Sequence, residues 1–288
     1  MYIFIFLLCV ILFIFALGVL LSRNLRVRRF NIKGESAQKV KGFRIVLLSD
    51  LHGRYIGEGQ DKLARAILKE NPNVVIAAGD MVDAYDKNAD AAAALAEKVK
   101  GRAVFIAVRG NHFYKSDKAV QDSMEHEFDR NGVISLKNQS YKAEYNNKVI
   151  LIDGYDDPLS AYNFRGISKA KVLKKNSEVI KNAVEGMSDS NQKCDYKICV
   201  CHRPTDIEEF KNAGYDMMLA GHTHGGQLAL PFGIEPLGDE VSLFPRKNMQ
   251  SGLHYHDKMP LIITSGIGFS NIKLRTYLPP EIIVIDFS

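Results

Sequence analysis

The chain has 288 residues, of which 46% are hydrophobic and 25% charged, and its formal net charge is +5. These values are ordinary for a globular protein, so they exclude a chain that is disordered throughout. Only one stretch is long and apolar enough to cross a bilayer, which excludes a polytopic membrane protein. The whole excess charge lies on five basic residues, namely Arg23, Arg26, Arg28, Arg29 and Lys33. The remainder is neutral, which argues against a nucleic-acid-binding face.

The first 22 residues carry no charged side chain, and Met1 to Leu21 form an unbroken apolar stretch. As a helix this stretch would be roughly 30 Å long, enough to cross the core of a bilayer. The alternative is a cleaved signal peptide, which typically has basic residues before the apolar run and an Ala-x-Ala motif after it. Both features are missing from this stretch. We therefore predict a transmembrane anchor over residues 1–22.

The five basic residues, called the basic collar below, follow the predicted anchor directly. We predict that residues 23–42 are a basic juxtamembrane linker. Because Lys and Arg next to a membrane span favour the cytoplasmic side, we expect a single-pass protein of the cell membrane with a cytoplasmic catalytic domain. The collar would attract anionic headgroups by about 1 kcal/mol per charge. The membrane is therefore an expected partner, and nucleic acid is not.

Residues 43–288 are predicted to form one α/β domain, because short β-rich runs alternate with helical patterns and are followed by further strands. Several of the runs are apolar throughout, which is typical of strands covered on both faces. The predicted strands are 43–49, 74–78, 103–108, 149–152, 196–201, 217–220, 261–264 and 282–287. The predicted helices include 63–68, 91–99, 120–128 and 168–187. Residues 230–256, rich in Pro and Gly, are predicted to be an irregular loop.

Polar side chains follow five of the predicted strands, always at the same end. Loops beyond the ends of neighbouring strands converge on one edge of a sheet, so the five motifs predict one site. Carboxylates, imidazoles and an amide oxygen are ligands for borderline or hard divalent ions. The motifs are Asp50-Leu51-His52, Gly79-Asp80-Met81-Val82-Asp83, Gly110-Asn111-His112, His202 and Gly221-His222-Thr223-His224-Gly225-Gly226.

Each motif taken alone has a purely structural alternative. Gly-Asp and Gly-Asn-His are often turns, and His202 alone would be an ordinary hydrogen-bonded histidine at a strand end. Five of the eight histidines, however, fall inside these motifs, each after a strand. The joint pattern favours a metal site.

Together the motifs resemble the five motifs of the calcineurin-like metallophosphoesterase superfamily, over about residues 43–287. The flanking sequences resemble those of membrane-associated bacterial metallophosphoesterases: CHRP around His202, GHTHGGQ through Gln227, FPRK near Phe244, TSGIG at Thr264 and the C-terminal LPPEIIVIDF. The resemblance implies a four-layer αββα sandwich, in which two mixed β-sheets are flanked by helices. It also implies a dinuclear metal centre at the strand ends.

The resemblance further implies which residues hold two divalent ions, and the ligand types permit Mn, Fe or Zn. One ion would be held by Asp50, His52, Asp80 and His224, and the other by Asp80, Asn111, His202 and His222. Asp80 would bridge the two ions, and a bridging hydroxide would attack the phosphorus in line. By the same resemblance His112 is a catalytic residue that protonates the leaving oxygen or stabilises the transition state.

The sequence departs from the family pattern at two places. Phe113 stands where many relatives have an acidic residue, which affects the tuning of His112. His52-Gly53-Arg54 replaces the commoner His-x-Gly form, which predicts a reshaped wall of the cleft.

Several polar residues near the motifs have two interpretations. Asp83 is either a hydrogen-bond partner of a ligand histidine or a helix cap. Asp156, Asp157 and Arg203 either touch substrate or form a surface ion pair. His254 and His256 either line the pocket or have no role in it.

We therefore expect a membrane-anchored phosphohydrolase that cleaves a phosphomonoester, phosphodiester or pyrophosphate. The anchor suggests a lipid-linked substrate, and a phosphorylated small molecule is the other choice. The alternative function is an inactive, metal-dependent scaffold or sensor at the membrane. Such a protein would usually lack a ligand or the leaving-group histidine, and neither is missing here.

Overall fold

Two six-stranded sheets form the centre of the protein in a computed structural model, which describes residues 2–163, 166–188, 193–226, 251–269 and 274–288. The strands are β1 (Arg26–Ile32), β2 (Arg44–Leu48), β3 (Val74–Ala78), β4 (Val104–Val108), β5 (Ile134–Leu136), β6 (Gln139–Tyr145), β7 (Lys148–Tyr155), β8 (Tyr196–Cys201), β9 (Met217–Ala220), β10 (Gly252–His256), β11 (Met259–Ile263) and β12 (Glu281–Phe287). The helices are α1 (Tyr2–Leu21), α2 (Glu35–Lys39), α3 (Asp61–Lys69), α4 (Asp90–Val99), α5 (Asn111–Lys115), α6 (Lys118–Arg130), α7 (Lys169–Ser188) and α8 (Ile207–Asn212).

Both sheets are mixed. The first has the order β1-β12-β2-β3-β4-β5 and the second the order β10-β11-β9-β8-β7-β6. Strands β2 to β5 are parallel, whereas β12 runs antiparallel to β2 and parallel to β1. In the second sheet β7, β8, β9 and β11 are parallel, with β6 and β10 antiparallel at the edges. The edge where β2, β3 and β4 end is therefore the edge where β12 and β1 begin.

Helices cover the outer face of each sheet. Leu63 of α3, Leu95 of α4 and Phe128 of α6 pack against the first sheet. Ile180 of α7 and Phe210 of α8 pack against the second. The inner faces of the two sheets pack directly on each other through a third apolar cluster. The predicted four-layer αββα sandwich is confirmed.

The buried strands are apolar throughout because both of their faces are covered. Every residue of β3 and β9 is buried, as are four of the five in β2. Each fully buried Ile, Leu or Val stabilises the fold by about 1.5–3 kcal/mol relative to an exposed position. These strands therefore lie in the middle of the sheets, and their carboxyl ends are held rigidly.

The eight predicted strands are all present, but the predicted linker contains a strand that we did not expect. Residues 26–32 form β1, which pairs with β12 from Arg26↔Glu281 to Ile32↔Phe287. The sequence RVRRFNI is rich in charge because β1 is an edge strand, in which six of the seven residues are exposed or half-buried. The first sheet therefore begins within residues 23–42, not after them.

The predicted loop at residues 230–256 is wrong at its end, because residues 252–256 form β10 at the edge of the second sheet. Residues 227–250 lie outside the described residues, and they include Gln227 and the FPRK sequence. Strands β5 and β6 were also not predicted. Both are edge strands, and the β6 sequence QSYKAEY is polar.

Two members of the basic collar form ion pairs within the domain. Arg26 donates to Glu281 at 2.5 Å, and Arg29 donates to Glu70 at 2.7 Å. Glu281 is fully buried, so its pairing with Arg26 stabilises the sheet edge. These two arginines are therefore less able to bind headgroups than the sequence suggested.

Among the described residues, one helix, α1, is long and apolar enough to cross a membrane. Nearly all of its side chains are exposed, from Tyr2 at 83% to Leu21 at 55%. A signal sequence would have the same length and composition.

Candidate metal centre

The five sequence motifs meet at one edge of the sandwich. Asp50, Asp80 and Asn111 follow β2, β3 and β4 of the first sheet, and His202 and His222 follow β8 and β9 of the second. The packing of the two sheets brings these strand ends face to face, so residues from both sheets share one site.

One group of donors consists of Asp50, His52 and His224, whose ligand atoms lie within 4.8 Å of one another. The Nε2 atoms of His52 and His224 are 3.2 Å apart. Asp50 Oδ1 lies 3.8 Å from His52 Nε2 and 3.5 Å from His224 Nε2. Three donors converging at these distances can hold a divalent cation.

A second group consists of Asp80, His202 and His222, again within 4.8 Å. His202 Nε2 lies 3.1 Å from Asp80 Oδ2 and 3.2 Å from His222 Nδ1. Asp80 Oδ2 is also 3.8 Å from His52 Nε2 in the first group. Asp80 therefore stands between the two groups, where a bridging carboxylate would be needed.

The unpaired oxygens of the site fit a cation. Asp50 Oδ1 and Asn111 Oδ1 are buried and lack a hydrogen-bond partner among the described residues. Leaving such a buried acceptor unsatisfied costs about 1–3 kcal/mol, which a bound cation would offset. The residues present thus fit the two divalent ions that the family implies.

His112 forms a third group of possible metal donors with His52 and Asp80, again within 4.8 Å, and this group shares one member with each of the other two. Its backbone N–H donates to Asp80 Oδ1 at 2.8 Å, and its ring packs edge-on to His52 at 4.6 Å between centroids. Its Nδ1 is 3.3 Å from Asp83 Oδ2. The ring is 15% exposed, so a substrate can reach it.

Asp83 is a hydrogen-bond partner of a candidate ligand, which decides between its two interpretations. Its Oδ2 lies 2.9 Å from His52 Nδ1, and its Oδ1 accepts the backbone N–H of Tyr85. A carboxylate behind a metal-binding imidazole orients the ring and increases its basicity. The carbonyl oxygen of Ala78 lies 2.8 Å from His202 Nδ1 and orients that ring in the same way.

The two histidines of the GHTH motif, His222 and His224, each have an arginine next to a ring nitrogen, where His52 and His202 have an oxygen acceptor. Arg203 Nη1 is 3.2 Å from His222 Nε2, and Arg275 Nη2 is 3.5 Å from His224 Nδ1. Both arginines are buried. They place positive charge beside the site, which favours an anionic substrate.

Arg203 is held by Asp157 through an Nε–Oδ2 bond of 2.8 Å, and both residues are buried. The expectation of a surface ion pair is therefore wrong for this pair. Asp156 is also buried, and it accepts the hydroxyl of Tyr114. Burial raises the pKa of Asp156, although that hydrogen bond opposes the shift.

The pKa values follow from burial and mutual pairing. Burial disfavours a proton on His52, but the neighbouring carboxylates of Asp50 and Asp83 raise its pKa to about 10. Burial likewise opposes protonation of His202, and the Asp80 carboxylate raises its pKa to about 9. Burial lowers the pKa of His224 to about 3. Binding of cations to His52 and His202 would therefore release protons.

The backbone of the site is strained at the candidate ligands. Asp50, His52, Asp80, His222 and His224 all have φ between 46° and 72°, a region that costs non-glycine residues energy. Such conformations persist only where the surrounding structure imposes them. Here the imposed turns direct the side chains that follow three strands, β2, β3 and β9, toward one point.

Glycine is needed where the motifs touch one another. A Cβ on Gly79 would lie 2.4 Å from His202 Nδ1, and one on Gly110 would lie 2.1 Å from Asp80 Oδ1. The glycines flanking the ligands therefore allow the two sheets to close around the site.

The departures from the family pattern lie around the ligands. Phe113 is buried in the core, with Arg109 over its ring at 5.3 Å, and so points away from the ligand cluster. Arg54 donates to the carbonyl of Ile267 at 2.8 Å and stacks on Phe269 at 4.2 Å, which builds one wall. His254 and His256 lie on edge strand β10.

Two residues of the site were missed by sequence reasoning. Ser49 donates to Asp50 Oδ2, and its only signal is a hydroxyl at the end of an apolar strand. Arg275 is separated from His224 by 51 residues, and no motif spacing connects them. Only the fold brings it to the site.

Comparisons with known proteins agree with the geometry. Residues 43–226 match the family model described as calcineurin-like phosphoesterase. The chain is 27% identical over 246 residues to the uncharacterized metallophosphoesterase YkoQ of Bacillus subtilis, covering 84% of this chain and 82% of that protein. It is 26% identical over 266 residues to an uncharacterized metallophosphoesterase of Aquifex aeolicus, covering 91% of each. A Danio rerio transmembrane protein with metallophosphoesterase domain is 26% identical over 254 residues, covering 85% of this chain and 53% of that protein.

Solved structures are similar at lower identity. A dimetal phosphatase from Danio rerio matches with a TM-score of 0.44 and 11% identity, over 86% of this chain and 100% of that one. A 5′-nucleotidase precursor from Thermus thermophilus matches with a TM-score of 0.44 and 12% identity, over 85% of this chain and 54% of that one. The family model covers well over half of the chain and includes all five motifs, so this chain belongs to the calcineurin-like phosphoesterase family.

Proposed function

We propose that this protein is a membrane-anchored phosphohydrolase with two divalent metal ions. Its substrate would be a phosphomonoester, phosphodiester or pyrophosphate, on a small molecule or a lipid. The observation that carries the proposal is the pair of donor groups on either side of Asp80, with the buried oxygens of Asp50 and Asn111 unpaired beside them.

The roles of the ligands follow from their grouping. One ion would be held by Asp50, His52 and His224. The other would be held by Asn111, His202 and His222, and Asp80 would bind both ions. Bound divalent ions would neutralise charge on the phosphoryl oxygens and lower the pKa of the attacking water. Mn, Fe and Zn all suit this mixture of imidazole, carboxylate and amide oxygen.

The chain's own residues orient the reaction. Asp83 supports His52 Nδ1, and the backbone N–H of Ala84 donates to His112 Nδ1 at 3.2 Å, which directs the proton-transferring role of His112 to its Nε2. From there His112 would protonate the leaving oxygen as a general acid. Arg203 and Arg275 add positive charge next to His222 and His224, where an anionic phosphoryl group would be attracted.

Anchoring of the protein is supported by helix α1 and by the relative that is named as a transmembrane protein. We propose a single pass, with the basic collar and the domain on the cytoplasmic side. Arg23, Arg28 and Lys33 are the members of the collar without an ion pair to Glu70 or Glu281.

The proposal is tested by loading the full-length protein with Mn²⁺, Zn²⁺ or Mg²⁺ and assaying a panel of phosphomonoesters, phosphodiesters and pyrophosphates. We expect two metal ions per chain by elemental mass spectrometry and turnover of at least one class. Asp80→Asn should lose both turnover and metal, whereas Asp122→Asn on the exposed face of α6 should lose neither. Two bound ions without turnover of any class would instead support the inactive scaffold or sensor.

A further inference from the structure

The predicted anchor joins the domain at the edge that carries the metal centre. The site lies where β2, β3 and β4 end, and β12 begins at that same edge because it is antiparallel to β2. Strand β1 is parallel to β12, with Arg26 opposite Glu281. The chain therefore passes from α1 into β1 at the site edge, not at the opposite edge.

Tyr277 also binds helix α1 at this edge through two hydrogen bonds. The backbone N–H of Tyr277 donates to the carbonyl of Gly18 at 3.0 Å, and its hydroxyl donates to the carbonyl of Ile14 at 2.5 Å. Gly18 is the buried residue of the last turns of α1, and a Cβ there would lie 2.5 Å from the Tyr277 ring. The helix is thus packed closely against residues 274–280, called the rim below.

The rim is connected to the metal centre by two contacts. Arg275 of the rim approaches His224 Nδ1 at 3.5 Å and donates to the carbonyls of Ser265 and Gly268. Leu278 fills the space beside Gly225, the residue that follows His224. Helix α1 and a candidate metal ligand therefore both contact this one short segment.

The apolar surface of α1 continues past the rim contact. Leu17, Leu20 and Leu21 remain 37%, 58% and 55% exposed in the last turns. Ile14, which accepts the Tyr277 hydroxyl, lies seven residues before the end of the helix, or about 10 Å at 1.5 Å per residue. A bilayer that covers these leucines must therefore reach the level of Tyr277.

From these contacts we infer that the rim lies in the headgroup layer of the membrane, and that the metal centre takes its phosphate ester from an amphiphile held in that membrane. Tyrosine suits such a position, because its ring is apolar and its hydroxyl is polar. The part of this inference that concerns the substrate rests on the proposed phosphohydrolase function. The part that concerns the rim does not.

The rim contact is tested with the full chain in nanodiscs of phosphatidylcholine with brominated acyl chains. The chain contains no tryptophan, so Tyr277→Trp introduces a single fluorophore at the rim, and Pro279→Trp provides a second if the first does not fold. The control is Glu144→Trp. Glu144 pairs with Val149 at the start of β7, the end of the second sheet away from His202.

We expect the brominated lipid to quench the rim fluorophore strongly and the Glu144→Trp fluorophore very little. Equal quenching of both, or none at the rim, would overturn the membrane contact.

The substrate class is tested with the same metal-loaded protein in unbrominated nanodiscs. Phosphatidic acid and CDP-diacylglycerol are offered in the disc, and glycerol 3-phosphate and CDP-glycerol in the water. We expect kcat/KM to be about tenfold or more higher for the better membrane-held substrate than for its soluble counterpart, because a shared membrane raises the effective concentration.

Equal or lower values for the membrane-held pair would overturn the substrate class alone. Failure to hydrolyse all four compounds and p-nitrophenyl phosphate would overturn the proposed function as well. The quenching result would still decide the membrane contact in that case.

Discussion

His112 differs from the other site histidines because it contacts both donor groups while its ring is partly exposed. We expect His112→Asn to lower kcat by about 10²–10⁴-fold, the usual contribution of a general acid, with the metal content unchanged. Turnover of an aryl phosphate and elemental analysis measure the two effects. His126→Asn, on the exposed face of α6, is the matched control and should change neither. Loss of a metal ion from His112→Asn would show that His112 is a ligand.

Gly79 has φ of +96° and touches His202, so a side chain is excluded there both by conformation and by space. We expect Gly79→Ala to destabilise the domain by about 1–3 kcal/mol and to weaken metal binding. In contrast, Gly186→Ala in α7 meets no atom within 4 Å and should stabilise by about 0.5–1 kcal/mol. Urea unfolding of both variants checks the opposite signs, and equal effects would refute the role given to Gly79.

At the scale of residues, sequence pattern located most of the candidate site because the ligands occur in short motifs at strand ends. Asp50, Asp80, Asn111 and His202 each follow an apolar run that is recognisable as a strand. Arg275 follows no such run, and it reaches His224 only through the fold. The buried Asp157–Arg203 pair shows the same limit, since burial depends on the packing of both sheets.

At the scale of secondary structure, helix α1 is joined to the domain through the close contact between Gly18 and Tyr277. We expect Gly18→Leu to push the helix away from the rim, because the new side chain would overlap the Tyr277 ring. This overlap should destabilise the packing of the helix by about 1–3 kcal/mol. The hydrogen exchange of residues 274–280 in detergent should then increase, and turnover should fall several-fold.

Ala16→Leu adds the same side chain to an exposed position of α1 and serves as the control. Its hydrogen exchange and turnover should match those of the unmodified protein. Identical behaviour of the two variants would show that the rim contact does not matter to the site.

The strands that sequence pattern missed are the four edge strands. Strands β1, β5, β6 and β10 lie at the edges of the two sheets, and β1, β6 and β10 carry polar or charged side chains, as expected where one side faces solvent. The central strands were found because burial on both faces leaves a continuous apolar run. The pattern therefore predicts the middle of a sheet better than its borders.

At the scale of the whole molecule, the assignment of β1 to the first sheet decides where the domain starts. A chain beginning at residue 23 keeps β1 and the Arg26–Glu281 pair, whereas a chain beginning at residue 34 loses both. Glu281 is fully buried, so losing Arg26 leaves a buried carboxylate without its charged partner, and the shorter chain should have the lower Tm. Thermal unfolding followed by circular dichroism measures the difference. Equal Tm values for the two chains would show that β1 adds no stability and that residues 23–42 act as a linker.

Strand periodicity and the residues after each strand are local properties, so the sequence alone predicted an α/β domain and the set of candidate ligands. The αββα layering followed from the resemblance of the five motifs to a known family. The packing of the two sheets, in contrast, sets which charges of the basic collar are paired, places Arg203 and Arg275 next to the GHTH histidines, and brings α1 to the edge of the metal centre. Those features join residues that are far apart in the chain. Their energies come from burial and from contacts between elements, which exist only once the two sheets have packed together.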